Sequence, residues 1–354
     1  MKVGLVLGAG GVLGGAWLTG GLAAVAEETG WDPAEADYIV GTSAGSLIGS
    51  LVASGVPPWF MVAHSAGETF KGVVDTNGRP AASASRSGGA VFKLHRGMPS
   101  LGPGSWRLGV AALRNPKVYT PAAAVSAWLP VGLVSNDSIK DVVRRVVAKG
   151  WTAHPNTWIV ACDYETGRRV PFGREGAPEV DLADAVAASC AIPGFYRPVE
   201  IAGRRYVDGG IYSASNLDLL RDCGLDLVIC LNPTSTLVRD RSLNPLDRVA
   251  AAVRAGSGRR LGHEAKKLRA NGTQVVLIQP VADDLVLMGR NLMRRRGRHD
   301  VIVTAQRTVA EQLRAPEVAE LLQDLPAGQP HKLARPVGDP STWPPIGPAA
   351  AEAA

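Results

Sequence analysis

One local pattern occurs twice within the first 54 residues, and it constrains the fold more than any other feature of the chain. Lys2 to Leu7 is a Val- and Leu-rich run with little alternation, as expected of a parallel strand covered on both faces. The glycine-rich segment Gly8-Ala9-Gly10-Gly11-Val12-Leu13-Gly14 follows at once, and from about Gly15 to Thr29 apolar residues recur at helical spacing. Gly30, before Trp31-Asp32-Pro33, stands where a helix C-cap glycine would. Tyr38 to Val40 then makes a second short strand that runs into Gly41-Thr42-Ser43-Ala44-Gly45 and a helix through roughly Ser54. Two strand, tight turn, helix units in succession predict an α/β protein.

The pattern continues. Ser138 to Lys149 reads as a helix with Asn136 or Asp137 as N-cap, Thr157 to Cys162 as a strand and Leu182 to Ala188 as a helix. Arg205 to Val207 begins a strand that ends at Asp208-Gly209-Gly210, and Leu225 to Leu231 is a further Val/Ile/Leu strand. The expectation is a three-layer α/β/α domain over about 1–235, with a mostly parallel central sheet and helices on both faces. Residues 236–330 are expected to be a basic, helical extension packed on the same domain. There, basic helical stretches at Arg254 to Arg269 and Arg290 to Arg298 flank a strand at Gln274 to Ile278, and a last helix spans Val301 to Leu313. The Pro- and Ala-rich residues 331–354 are expected to be a disordered tail. Residues 72–115, dominated by Ser, Gly, Arg and Pro, read as a long mobile loop, either a lid or a disordered insertion.

Composition removes several classes. With 46% hydrophobic and 20% charged residues the chain is neither disordered nor fibrous. Cys162, Cys190, Cys223 and Cys230 form no CxxC pair and have no histidines at zinc-ligand spacing, so they read as small buried hydrophobes in a reducing compartment rather than a metal site. No stretch is apolar and charge-free over the length of a membrane-spanning helix, which leaves peripheral contact as the expected membrane association of a cytoplasmic protein. Lys2, the apolar run and Ala24-Val25-Ala26 resemble a signal peptide, but seven glycines interrupt the run where a signal core needs a continuous helix. The net charge of +6 favours anionic partners without choosing among lipid headgroups, nucleic acid or nothing specific.

Gly41-Thr42-Ser43-Ala44-Gly45 is a GxSxG sequence whose small residues let the chain turn sharply, exposing the serine hydroxyl at a helix N-terminus. A serine hydroxyl becomes a nucleophile only when a neighbouring group takes its proton. A histidine arranged as in α/β-hydrolases fits badly, because only one strand precedes the one that leads into Ser43. His64, His95 and His154 precede the best acid, His263 lies among basic residues, and His299-Asp300 is the least poor triad candidate. Asp208-Gly209-Gly210 offers a carboxylate at a strand end; taken alone it reads first as an ordinary Asp-Gly turn, and together with Ser43 and the first glycine loop it reads as a general base. The segment Gly8 to Gly14 has two readings. As a dinucleotide cradle it lacks the strict GxGxxG spacing and an acid at the second strand end. As an oxyanion hole it supplies backbone N–H donors beside Ser43.

Taken together, the glycine loop after the first strand, GxSxG and Asp-Gly-Gly, in that order, resemble the patatin-like phospholipases. The approach Ala188-Ser189-Cys190-Ala191-Ile192-Pro193-Gly194-Phe195 through Val207 is also similar to that family. The resemblance covers about Lys2 to Leu231. It implies Ser43 as nucleophile, Asp208 as general base, and the N–H groups of Ala9, Gly10 and Gly11 as oxyanion donors, with Gly41, Gly45, Gly209 and Gly210 shaping the two turns. Where that family often carries Arg or Lys before the last loop glycine, this chain has Leu13. The implied activity is hydrolysis of a phospholipid or other long-chain acyl ester, without metal or organic cofactor and with no nucleic acid partner. Basic helices after Arg254 are the expected contact with an anionic membrane surface. A catalytically silent lipid-binding or regulatory module is the alternative.

Overall fold

The computed structural model describes residues 1–67, 92–94, 102–236 and 245–328. Residues 72–91 and 95–101 of the expected loop, and the expected tail at 331–354, lie outside them.

The first unit follows from local chemistry. Strand β1 (Val3–Leu7) is buried at every position, and helix α1 (Gly11–Thr29) leaves the glycine loop. The helix ends at Gly30, whose left-handed φ of 67° lets its N–H bond to Ala26 O at 3.0 Å. β2 (Tyr38–Thr42) leads into α2 (Ala44–Ala53) and α3 (Pro58–Ala66). Two short helices, α4 (Trp106–Arg114) and α5 (Pro121–Trp128), form a hairpin, followed by α6 (Asp137–Arg144). The second half runs β3 (Thr157–Asp163), β4 (Arg169–Phe172), α7 (Leu182–Ser189), β5 (Val199–Ile201), β6 (Arg204–Asp208), β7 (Leu227–Leu231), α8 (Pro245–Ala270), β8 (Gln274–Ile278), α9 (Ala282–Met288), α10 (Arg298–Leu313) and α11 (Pro316–Leu322).

These strands form one sheet in the order β5-β6-β3-β2-β1-β7-β8, with β4 alongside β3. β3, β2, β1, β7 and β8 are mutually parallel, whereas β4 and β6 pair antiparallel with β3, and β5 antiparallel with β6. Alternation sorts the side chains into two faces. Leu5, Leu7, Ile39, Ile229 and Leu231 pack under α1, α2 and α10, while Val6, Val40, Val228 and Cys230 pack on Leu261, Ala265 and Leu268 of α8. The result is the expected three-layer α/β/α arrangement with a mostly parallel sheet. β8 extends that sheet, and α10 lies so close to α1 that a Cβ on Gly20 would stand 2.2 Å from Ile302 O. Among the described residues no single helix is long and apolar enough to cross a membrane.

Two local expectations are corrected. Residues 106–114, expected as part of a loop, form α4, because Ser105 Oγ accepts from Leu108 N–H and the helix buries Leu108 and Ala112. The stretch Arg290 to Arg298 is not helical. It is a loop bounded by Gly289 (φ 61°) and Gly297 (φ 77°), both left-handed, and only Arg298 enters α10.

Candidate active site

β3 is the template that brings Ser43 and Asp208 together, although 165 positions (208 − 43) separate them in sequence. Thr42, the last residue of β2, pairs with Val160, and Asp208, the last residue of β6, pairs with the next residue of β3, Ala161. The strand ends abut: a Cβ on Gly209 would stand 2.4 Å from Val160 O and 3.3 Å from Thr42 Cγ2. The Ser43 side chain lies within electrostatic reach of the Asp208 carboxylate, which accepts the Gly210 N–H at 2.7 Å.

Ser43 stands at φ 53°, ψ −121°, a conformation that a non-glycine residue holds only when its surroundings enforce it. Those surroundings are visible. The Ser43 N–H donates to Ser189 Oγ at 2.9 Å, and that hydroxyl donates onward to Val160 O at 2.6 Å. The Ser43 carbonyl accepts from the Ser46 hydroxyl at 2.6 Å and the Cys190 thiol at 3.2 Å. The turn also needs its glycines. A Cβ on Gly45 would stand 2.0 Å from Leu7 O in β1, and one on Gly41 would stand 2.5 Å from Ser46 Cα.

Electrostatics make Asp208 a stronger base than an ordinary carboxylate. Burial pushes its pKa up to about 6, opposed by the Ser43 side chain and the Gly210 N–H, and no cation among the described residues acts on it. Its neighbours register the same field: burial and then the Asp208 charge push the Cys190 thiol up to about 12, and raise Cys162 further. Ser43 and Asp208 are 4% and 5% exposed, so water has little access to either.

The glycine loop lies against this pair, since a Cβ on Gly210 would stand 3.5 Å from the Ala9 Cβ. Its donors are not equivalent. The Ala9 N–H already donates to Ala214 O at 2.8 Å and is not free for an oxyanion, a correction to the expectation for that residue. Gly10 and Gly11 cap and begin α1, ahead of its first intrahelical bond, from Gly14 N–H to Gly10 O. Helix geometry leaves such first-turn N–H groups without an intrahelical acceptor. Gly11 has φ 60°, and a Cβ there would stand 3.0 Å from Met293 Sδ.

Sequence reasoning missed the residues that hold this arrangement. Ser189 and Cys190 lie in the quoted approach segment, but nothing local says that they bond to the Ser43 backbone. Asn216, left-handed at φ 51°, donates to Thr42 Oγ1 at 3.0 Å and to Ser213 O at 2.7 Å, fixing the chain after Asp208 to the end of β2. Leu292 O accepts the Leu13 N–H at 2.9 Å, so the loop misread as a helix lies directly on the glycine loop. The histidines do other things. His154 bonds to Ala36 O at 2.6 Å and to Thr157 at 2.9 Å, His64 stacks on Phe60, and His263 is exposed. His95 lies outside the described residues, and His299 is absent from the groups acting on Asp208.

The crystal structure of VipD from Legionella pneumophila is similar to the chain, with 13% sequence identity and a TM-score of 0.42, covering 92% of this chain and 67% of that one. The family model for patatin-like phospholipase matches residues 5–221, a span that holds the glycine loop, the Ser43 elbow and the Asp208 turn. Matched over more than half of its 354 residues, the chain belongs to the patatin-like phospholipase family.

Proposed function

We propose that the protein is a serine lipid acyl hydrolase in which Ser43 and Asp208 act as a catalytic dyad on a phospholipid or other long-chain acyl ester. The observation that carries the reading is the adjacent pairing of Thr42 and Asp208 on β3, which sets a buried carboxylate against a strained serine. Asp208 Oδ accepts the Ser43 hydroxyl proton as Oγ attacks the ester carbonyl carbon. The Gly10 and Gly11 N–H groups take the charge that develops on the carbonyl oxygen. Collapse of the tetrahedral intermediate expels the alcohol, which takes the proton from Asp208 and leaves an acyl-Ser43 ester. Asp208 then deprotonates a water that attacks this ester, releasing the fatty acid and restoring the hydroxyl.

Two features support a low-polarity acyl substrate. Met293 lies against Gly11 and packs on the apolar cluster built around β3, α6 and α7, which gives the glycine loop an apolar neighbour. Cys190 and Cys162, with their raised pKa values, add no competing charge beside Asp208.

The near-complete cover over both reacting side chains favours a second reading, a silent lipid-binding module on the same fold. The two readings differ in turnover. With p-nitrophenyl esters of short and long acyl chains and a panel of phospholipids and lysophospholipids, the hydrolase reading expects wild-type turnover and loss of at least about 10⁴-fold in kcat for Ser43→Ala. Equal rates for wild type and Ser43→Ala would refute it.

A further inference from the structure

Another departure from ordinary burial lies on the surface beside this site. Of the thirteen large apolar side chains left exposed among the described residues, nine fall within 94–133, so the exposure is concentrated rather than scattered. On α4 the spacing is explicit. Trp106, Val110 and Leu113, at i, i+4 and i+7, are 61%, 37% and 69% exposed, while Leu108 and Ala112 of the same helix are buried against the core. On α5, Val125 and Trp128 are 62% and 42% exposed. The rings of Trp106 and Trp128 meet edge to face at 5.5 Å, which joins the outward faces of the two helices into one patch.

Its charge is as unusual as its polarity. From Thr76 to Asn136 the sequence contains no Asp or Glu and seven Lys or Arg residues. On the hairpin itself the cations are Arg107, Arg114 and Lys117, and Arg107 and Arg114 line a shallow groove with Trp106, Val110 and Ala111.

The hairpin is fastened to the site. The Thr120 hydroxyl donates to Ile211 O, three residues past Asp208, and the Tyr164 hydroxyl donates to Ser126 O at 2.7 Å. Leu108, Ala123 and Ala127 pack with Val207 and Ile211, the residues that flank the Asp208 turn.

We infer that the outward face of α4 and α5 is the docking surface for a bilayer containing anionic phospholipids. Trp side chains sit at the headgroup level of membranes, aliphatic side chains enter the acyl boundary, and Lys and Arg meet anionic headgroups. A second copy of this chain would bring the cations Arg107, Arg114 and Lys117 against their own counterparts, which charge disfavours. A bilayer with anionic lipid offers both the apolar layer and the opposite charge. The basic face of α8 offers less. Arg259, Lys266, Lys267 and Arg269 are exposed there, but Val253 is the sole exposed large apolar residue that helix shows among its described side chains. The inference rests on the lipid-hydrolase proposal for the reason the protein would visit a bilayer.

The test is flotation of the full chain with phosphatidylcholine vesicles, with and without phosphatidylglycerol. Wild type is expected to float with the anionic vesicles and to be released by salt. Leu113→Ser with Val125→Ser is expected to weaken binding at least about tenfold. Arg107→Gln with Arg114→Gln is expected to weaken it about 25-fold, at roughly fivefold per cation, while Lys266→Gln with Lys267→Gln leaves it unchanged. All three variants should keep wild-type melting and wild-type hydrolysis of a soluble short-chain ester. Wild type that ignores anionic vesicles, hairpin variants that bind as wild type does, or a wild-type dimer that Leu113→Ser with Val125→Ser dissociates would each overturn the inference. Vesicle binding without ester turnover would sink the hydrolase proposal and support this one.

Discussion

The Ser43 elbow and the α4–α5 hairpin break the rule of burial in opposite senses, and they are joined through one short turn. The elbow hides polar groups: Ser43, Asp208, Ser189 and Ser46 are all buried, and each is held by hydrogen bonds. The hairpin exposes apolar ones, Trp106, Leu113 and Val125 among them. Buried polar groups are tolerated when their partners are fixed, and here the fixing holds Ser43 in a strained conformation while burial raises the pKa of Asp208. Exposed apolar groups on a folded surface point to something that covers them. The contrast separates chemistry from docking, and each half is open to separate attack.

The sharpest break is Asp208→Asn, which keeps the side-chain oxygen for Gly210 and removes the base. We expect kcat to fall by about 10³- to 10⁴-fold. Stability should move the other way. With its pKa raised from 3.8 to about 6, folded Asp208 stays protonated between those values while the unfolded chain ionises, so stability falls as pH rises through that window. Above about pH 6 the penalty is roughly 3 kcal/mol. Thermal melts at pH 4 and pH 8 should therefore show Asp208→Asn gaining stability at the higher pH alone. A variant less stable than wild type at pH 8 would contradict the burial argument.

Gly11→Ala probes the other side of the elbow. Its Cβ would press on Met293 Sδ at a left-handed φ, displacing the N–H proposed to bind the oxyanion, and we expect kcat to fall by about 10²- to 10³-fold. An unchanged kcat would remove Gly11 from the oxyanion hole. The smallest expected effect is that of Ser189→Ala, which leaves the Ser43 N–H buried without its acceptor. Unfolding by urea should show a loss of about 1–3 kcal/mol, with anionic vesicle binding through the hairpin intact.

The elbow was legible in the sequence because its signals are local: an apolar strand, glycines spaced for a turn, and a helix. Its partner acid was visible as a residue but not as a neighbour. The pairing of Thr42 with Val160 and of Asp208 with Ala161 depends on strand order, which no local spacing encodes. Ala9 shows the same limit, since the glycine loop is readable but the bond from its N–H to Ala214 O is a long-range event. The hairpin was less legible for a different reason. With apolar residues on both sides of α4, the helical period blurs, and Gly102, Pro103 and Gly104 next to it suggest a loop. Arg290 to Arg298 failed in the opposite direction: its charges suit a solvated helix, but contacts with the oxyanion loop and flanking left-handed glycines keep it irregular.

The central claim is that the Asp208 carboxylate activates Ser43, and the rate of labelling by a fluorophosphonate probe as a function of pH tests it most directly. In wild type the rate should rise with pH through a midpoint of about 6, where the buried carboxylate loses its proton, and Asp208→Asn should label at least about 10³-fold more slowly across the range. Labelling of Asp208→Asn at the wild-type rate, or a wild-type profile flat between pH 4 and pH 8, would contradict the account.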